Sequence, residues 1–339
     1  MNTPLPRAFG AAAGQARIRL APADFRVFEE LGFEPSGDGE HACLLIEKTG
    51  LNTLDLQRML AEMAGVPRRD VGFSGMKDRN AVTHQWFSVG LAGRDEPHWQ
   101  QLEQDHPLQI LRVDRHQRKL RRGVHRANRF ELTLRELQGK REALEARLQT
   151  LREKGVPNYF GEQRFGRNNS TLEQALAWSK QGGKRKREQR SLMLSALRSH
   201  IFNQLLATRI EARSWDLVQA GDVCLLHGTR SFFHCETVDQ DIQQRSACGD
   251  INAGLPLWGR SKNALVPHEL PSELAPIGLF LESQGLELAW RAARVIPDDF
   301  YWQFCDDDVL QLNFRLPAGS YATAVLSEFV QYHANQGAS

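Results

Sequence analysis

The chain has 339 residues, of which 25% are charged and 41% hydrophobic, as is typical of a globular protein with one large core or two domains. No apolar run approaches the roughly 20 residues needed to cross a bilayer, and the first residues contain no signal-peptide core. The five cysteines form no CxxC pair and no Cys/His cluster with zinc spacing. We therefore expect a cytoplasmic protein with no membrane partner, no disulfide framework and no metal.

The net charge of +2 conceals two strongly basic runs. Residues 112–129 contain eight Arg or Lys against one acid, Asp114, and residues 164–190 contain eight against Glu173 and Glu188. Such runs attract polyanions, because neutralising phosphates releases condensed counterions. The alternative is that they are solvated loops and helix faces. Two runs together make nucleic-acid binding about as plausible as that alternative.

Hydrophobic periodicity predicts a mixed first third. Residues 15–20 and 25–31 alternate as strands do, and residues 41–48 contain the apolar core of a buried strand. Asn52 or Thr53 can cap a helix that Gly65 and Pro67 end. Its predicted apolar face has i, i+3, i+4, i+7 spacing and consists of Leu56, Met59, Leu60 and Met63. Strands are then predicted at 71–74 and 82–89.

The rest of the chain changes character after residue 154. Residues 107–113 and 128–135 alternate, so the basic segment between them is predicted to be a loop or a hairpin tip. Helices are predicted at 142–154 and 191–210, and short strands and loops over 211–295. Residues 309–316 alternate again, and residues 321–333 have the pattern of a helix. The whole pattern predicts an α+β protein.

The most informative stretch is residues 72–85, which read GFSGMKDRNAVTHQ. Its glycines bracket a strand end, and the pair Lys77-Asp78 lies in the loop before the next strand, where a sheet presents reactive groups. A carboxylate there can act as a nucleophile or a general base. Lys77 can lower its pKa if the two side chains face each other. The alternative is that Asp78 only stabilises the turn.

Asn128 and Phe130 lie two residues apart, so on a strand they share one face. One can hydrogen-bond the edge of a base while the other stacks on its ring, as in proteins that bind single-stranded RNA. The alternative is a core phenylalanine beside a turn residue. The sequence lacks GxGxxG after a strand, GxxxxGK[ST], GxSxG and HExxH, so an enzyme on this chain is expected to work without a bound cofactor.

Several segments in order resemble the tRNA pseudouridine synthase D (TruD) family. The central match is GMKDRNAVTHQ at residues 75–85, which is similar to the family's GxKDxxAxTxQ signature. The other matches are DFRVFE at 24–29, NRF at 128–130, GVPNYFGEQRFG at 155–166, SALRSHIFNQ at 195–204 and LPAGSYAT at 316–323.

This resemblance implies an α+β fold, in which a pseudouridine-synthase catalytic domain (a mixed twisted sheet with flanking helices) contains an inserted α/β TRUD domain. The catalytic domain is expected at 1–154 and 296–339, and the insertion at 155–295. The implied reaction converts a uridine of tRNA, at position 13 of the D arm, to pseudouridine with no cofactor and no obligatory protein partner.

By the same resemblance, Asp78 is the catalytic aspartate. Phe130 matches the aromatic residue that stacks on the target uracil. Arg19 lies where the family commonly has a lysine near the aspartate, and Tyr321 lies where some members have phenylalanine. The residues expected to hold the substrate are Phe25, Asn128, Phe130, Tyr321, Arg19 and Lys77.

Two alternatives remain open on the sequence. The basic runs also fit a non-catalytic RNA-binding or RNA-chaperone protein with the same fold, although the retained Asp78, Asn128 and Phe130 argue against it. Another base-modifying enzyme, such as a methyltransferase, is disfavoured by the missing glycine-rich cofactor loop.

Overall fold

A computed structural model describes residues 5–229, 231–261 and 269–334. The chain forms two compact units. The sheet unit comprises residues 13–146, 297–319 and the strand that follows residue 329, and the second unit comprises residues up to 12, 147–296 and 320–329. No helix in the described ranges is long and apolar enough to cross a membrane. The division into catalytic and inserted domains given above stays a prediction.

The structure has both helices and strands along its length. The strands are β1 Gly14–Ile18, β2 Phe25–Leu31, β3 His41–Thr49, β4 Val71–Phe73, β5 Val82–Gly90, β6 Leu108–His116, β7 His125–Gln138, β8 Val156–Pro157, β9 Val223–Leu226, β10 Phe232–His234, β11 Ile251–Leu257, β12 Ala289–Ala292, β13 Arg294–Val295, β14 Asp298–Asp306, β15 Val309–Pro317 and β16 Val330–Ala334. The α-helices are α1 Thr53–Met63, α2 Leu102–Asp105, α3 Arg141–Lys154, α4 Ser170–Gln181, α5 Arg187–Glu211, α6 Gln240–Ala247, α7 Ala275–Ser283 and α8 Ala322–Phe329.

The sheet unit is built on one ten-stranded mixed sheet. Its main path runs β14-β15-β7-β2-β5-β3-β6, with β1 beside β7, β16 beside β1 and β4 beside β5. The pairs β2·β5 and β1·β16 are parallel, and the other pairs are antiparallel. The predicted α+β class with a mixed sheet and helices is confirmed.

Alternating residues of β3 enter different clusters, as the period of a strand requires. Ala42, Leu44 and Ile46 pack with Leu56 and Leu60 of α1, whereas Cys43 packs with Trp86 and Leu120. The predicted helix begins at Thr53 with Asn52 in the N-cap position. The packed face of α1 confirms the periodicity of the sequence, since Met59 and Met63 contact the same cluster.

The hairpin alternative for the first basic run is wrong. β6 lies at the edge of the sheet beside β3, whereas β7 lies in its middle between β2 and β15. Residues 117–124 therefore form a loop that crosses the sheet. Local alternation cannot reveal this, because it shows that two strands exist but not which neighbours they pair with.

The C-terminal helix is shorter than predicted. α8 ends at Phe329, and residues 330–334 form β16, which pairs in parallel with β1. The apolar residues of this segment have the spacing of a helix. The strand instead forms because residue 330 pairs with residue 14, and a local sequence pattern contains no information about so distant a partner.

The second unit packs helices on a four-stranded antiparallel sheet ordered β10-β9-β11-β12. The long helix α5 begins four residues earlier than predicted, and its residues Leu197, Ile201 and Phe202 are fully buried in the core. Helices α4, α6 and α7 were not predicted. The segment 211–295 contains α6 and α7 in addition to the expected short strands.

Candidate active site

Asp78 lies in the loop of residues 74–81 between β4 and β5. Arg19, the residue after β1, donates from Nη2 to Asp78 Oδ2 at 2.6 Å. The Arg19 side chain is 12% exposed and that of Asp78 is 34% exposed. A charge-assisted bond of this length holds the carboxylate in one place while leaving part of it open to solvent.

Arg19 has a left-handed backbone conformation, with φ of 59°. This region is unfavourable for a residue with a Cβ and costs on the order of 1–3 kcal/mol when the surroundings impose it. The guanidinium also lies over the ring of Phe25, 4.0 Å from its centroid, and its Nε is buried with no hydrogen-bond partner. The Phe25 ring therefore packs on the face of the Arg19 guanidinium, while the Asp78 carboxylate bonds its edge.

Phe25 links this ion pair to β7. It is 3% exposed, and its ring meets the Phe130 ring edge-on with centroids 6.3 Å apart. The Phe130 ring also lies 5.4 Å from the Phe314 ring at an interplanar angle of 30°. Phe130 is 6% exposed, so a uracil can stack on it only if a neighbouring ring gives way. Its predicted role stays a prediction.

Asn128 lies on the same buried face of β7 as Phe130, as the two-residue spacing predicts. Its side chain is more than nine-tenths buried, and its Oδ1 atom has no hydrogen-bond partner. A buried acceptor without a donor costs about 1–3 kcal/mol. The predicted role of Asn128 in holding the substrate stays a prediction.

Lys77 does not turn toward Asp78. Its ammonium lies 2.5 Å from Oε2 of Glu29, which is completely buried on β2. The other carboxylate oxygen, Oε1, accepts from the hydroxyl of Ser74 at 2.8 Å and from the backbone N–H of Trp86 at 3.2 Å. Lys77 thus fixes its loop to the sheet, and its expected contact with substrate stays a prediction.

Lys48 was not predicted from the sequence. It is fully buried on β3, and its ammonium donates to the backbone oxygen of Leu51 at 2.7 Å and to that of Asp78 at 3.4 Å. Burial lowers the pKa of Lys48 from 10.5 to about 8, and the charge of Asp78 opposes that shift. A lysine inside an alternating strand has no sequence signal that distinguishes this position from an exposed one.

Side-chain to backbone bonds hold the other loop residues. Thr53 at the start of α1 accepts the Lys77 N–H at 3.0 Å and donates to Gln85 at 3.1 Å. Gln85 in turn donates to the Gly75 carbonyl at 2.6 Å. The Thr53 hydroxyl therefore serves the loop, and no side-chain cap bond is formed at the start of α1.

Tyr321 belongs to the second unit. Its hydroxyl accepts from Arg164, with Nη2 at 2.8 Å and Nε at 3.1 Å, and its ring meets Phe160 edge-on. Arg291 is close enough to interact electrostatically with Tyr321, and burial lowers the pKa of the Arg291 guanidinium to about 10. The structure thus brings Asp78, Arg19, Phe25 and Phe130 into a chain of contacts. It places Tyr321 beside Arg164 and Phe160 of its own unit.

The second basic run lies in the second unit, where it lines an open cavity of about 540 Å³ between α4 and α5. The lining residues are Gln174, Ala177, Lys184, Arg185, Lys186, Gln189 and Met193. Among the described residues, no three His, Cys, Asp or Glu side chains are grouped so that they could hold a metal ion. The groups that the site offers for chemistry are a fixed, partly exposed carboxylate, a guanidinium beside it and aromatic rings.

Comparison with known proteins gives one consistent result. The sequence profile described as "tRNA pseudouridine synthase D (TruD)" matches residues 9–176 and 183–329. A protein of Methylococcus capsulatus named tRNA pseudouridine synthase D is 46% identical, with 97% of this chain and 94% of that protein covered. A protein of the same name from Nitrosococcus oceani is 45% identical, over 93% of this chain and 90% of that protein.

A crystal structure from Methanosarcina mazei, also named for tRNA pseudouridine synthase D, has the same fold. Its TM-score is 0.63, with 96% of this chain and 95% of that chain covered. At 20% sequence identity, this likeness concerns the fold alone.

Proposed function

Since the chain belongs to the tRNA pseudouridine synthase D (TruD) family, we propose that it converts the uridine at position 13 of the tRNA D arm to pseudouridine, with Asp78 as the catalytic carboxylate. The chain is a tRNA pseudouridine synthase, and therefore an isomerase that acts on tRNA. The observation that supports the role of Asp78 is its place at the end of a contact chain of predicted site residues, 2.6 Å from Arg19.

The reaction requires one bond to be exchanged for another. The N1–C1′ bond breaks, the base turns, and a C5–C1′ bond forms, while the hydrogen of C5 leaves as a proton and N1 gains one. No electrons are gained or lost, so the base is its own leaving group and acceptor. Asp78 acts on the nucleoside as nucleophile or base, and the Arg19 guanidinium holds its carboxylate through the 2.6 Å bond.

Arg19 is proposed to position Asp78 and to balance its charge. A guanidinium stays charged at any physiological pH and can bond a carboxylate edge-on while its face packs on an aromatic ring, as on Phe25. Its Nε, buried without a partner, is a further donor that a substrate oxygen can use. The departure from lysine at this position thus retains the charge and adds a stacking surface.

Asn128, Phe25 and Phe130 are proposed to receive the target base. A uridine must leave its stack before a side chain can reach it, and aromatic rings compensate for the lost stacking. The unpaired Oδ1 of Asn128 can accept from an N–H of uracil or from a ribose hydroxyl. Tyr321 and Lys77 are retained as candidate substrate-binding residues from the family resemblance.

The domain division is also proposed. The catalytic domain comprises 1–154 and 296–339, and the inserted domain comprises 155–295. The antiparallel pair of Val156–Pro157 with Arg294–Val295 supports this division, because it joins the chain where the insertion begins to where it ends. The second unit additionally includes residues up to 12, 147–154, 296 and 320–329.

Mapping the modified nucleotide tests the proposed position. An unmodified tRNA transcript with U13 is incubated with the protein, treated with carbodiimide to mark pseudouridine, and read by primer extension. A stop at position 13 is expected, with none in a transcript that has cytidine there. A stop elsewhere in the D arm, with none at position 13, would contradict the proposed position but not the reaction.

A further inference from the structure

The loop that joins β6 to β7 is built as a fixed element. This strap, residues 117–124, is anchored at its middle by Leu120, which is 2% exposed and whose N–H donates to the buried Ser88 hydroxyl at 2.9 Å. A Cβ at Gly72 would lie 2.3 Å from the Leu120 carbonyl, so the strap rests directly on β4. Groups held in this way bind a partner with little cost in ordering entropy.

The strap also contains cations without acidic partners. Three of the four arginines that the same basic run places on strands form ion pairs with acids, namely Arg112, Arg115 and Arg129. By contrast, Arg118, Arg121 and Arg122 are exposed, and within the described ranges no carboxylate lies at ion-pair distance from them. Lys119 is also on the strap, but its ammonium bonds the Arg69 carbonyl.

The fold does not need these three arginines to connect the strands. The buried Leu120 and the backbone bonds of Leu120 and Gly123 are sufficient to hold the strap. Arg122 also lies over the Phe73 ring, 5.4 Å from its centroid. Three unpaired guanidinium groups on one short, fixed segment repel one another, and this repulsion is relieved by a polyanion.

The strap is joined to the loop of Asp78. Gly123 donates its N–H to the Ser74 carbonyl at 2.6 Å, and Ser74 lies four residues before Asp78. Four residues of extended chain span at most about 14 Å, which limits the distance between this junction and the carboxylate. This limit puts the junction within reach of the phosphates that would flank a uridine bound at Asp78.

We propose that the strap is a phosphate-binding surface for the RNA backbone beside the target uridine, with Arg118, Arg121 and Arg122 as its ligands. This inference rests on the proposed function for the identity of the RNA. Guanidinium groups bind phosphate through two parallel hydrogen bonds, which gives the contact a direction as well as a charge. The strap thus sets the register of the backbone and leaves recognition of the base to the site itself.

The test compares two double variants of the full chain, R121Q/R122Q on the strap and K140Q/R141Q at the opposite end of β7. Each removes two adjacent exposed cations, of which one lies over a ring (Phe73 or Phe304). Binding of a tRNA transcript is measured by filter retention between low and moderate salt. For the strap variant, the slope of log K against log salt should fall by about 1.5, which corresponds to roughly 30-fold weaker binding near 0.1 M salt.

The control variant should bind with the affinity and slope of the wild type. An R121K/R122K variant should recover most of the slope, because charge is kept. Equal affinities for the strap variant and wild type would overturn the proposal, as would equal losses in the strap and control variants. Pseudouridine formation is assayed in parallel. Its absence from the wild type would count against the proposed function, while the binding comparison would still decide the role of the strap.

Discussion

The buried ion pair of Lys77 and Glu29 gives the sharpest test of how the Asp78 loop is held. In Glu29→Gln, the amide oxygen can occupy the place of Oε1 and keep the bonds from Ser74 and Trp86. The amide NH₂ then replaces Oε2 and faces the Lys77 ammonium, donor against donor. The substitution therefore removes the charge pair and its hydrogen bond, and leaves the other two bonds of residue 29 in place.

The expected loss follows from burial. The side chains are 0% and 7% exposed, so Glu29→Gln leaves a cation inside the protein without its anion. Breaking such a pair from one side costs about 3–5 kcal/mol, whereas replacing both members with neutral groups is often close to neutral. Glu29→Gln should thus destabilise by about 3–5 kcal/mol. The E29Q/K77M double variant should lose less than about 2 kcal/mol.

Urea unfolding followed by tryptophan fluorescence measures these free energies, and K77M completes the double-mutant cycle. The two single losses should exceed the loss in the double variant by at least about 2 kcal/mol. The kcat of Glu29→Gln for pseudouridine formation should be lower, because Lys77 no longer ties the loop of Asp78 to β2. Additive losses, or a Glu29→Gln variant as stable as wild type, would refute this account of the loop.

Three further predictions concern single side chains. Burial lowers the pKa of Lys48 from 10.5 to about 8, so between these pH values the folded chain binds fewer protons than the unfolded chain. The free energy of unfolding should therefore rise from pH 8 to 10.5 by at most about 3 kcal/mol. This rise, measured by urea unfolding at several pH values, should vanish in Lys48→Met. Arg19→Met should lower kcat/KM for pseudouridine formation by about 10- to 150-fold, which corresponds to the loss of one hydrogen bond to a charged group. Arg19→Lys should restore most of the lost kcat/KM. Asn128→Leu should change stability by less than about 1 kcal/mol, because Oδ1 has no partner to lose, while KM for tRNA rises; a large loss of stability would show that the amide has a structural role.

Periodic patterns allowed much of the sheet unit to be predicted. The strands β2, β3 and β5 and the helix α1 coincide with runs whose period matches one buried face. The pairing of β6 and β16 could not be predicted, because it depends on contacts between residues far apart in sequence. In the second unit, α6 and α7 are short helices of 8 and 9 residues, too brief to show more than two turns of periodicity.

For the site, motifs identified residues but not their partners. The pair Lys77-Asp78 was visible in the sequence, but the division of their contacts between Glu29 and Arg19 was not. That division depends on β1 and β2 meeting the loop in space. Lys48 was missed because its ammonium bonds the backbone oxygens of Leu51 and Asp78, and every residue has such an oxygen.

The central claim is that Asp78 performs the isomerisation. Substitution at C5 of uracil expels its hydrogen, so tritium release from tRNA labelled at uracil C5 reports the reaction directly. Wild type should release tritium, and Asp78→Asn should release none while still binding the tRNA, because the amide can fill the place of the carboxylate beside Arg19. Tritium release by Asp78→Asn at the wild-type rate would contradict the claim.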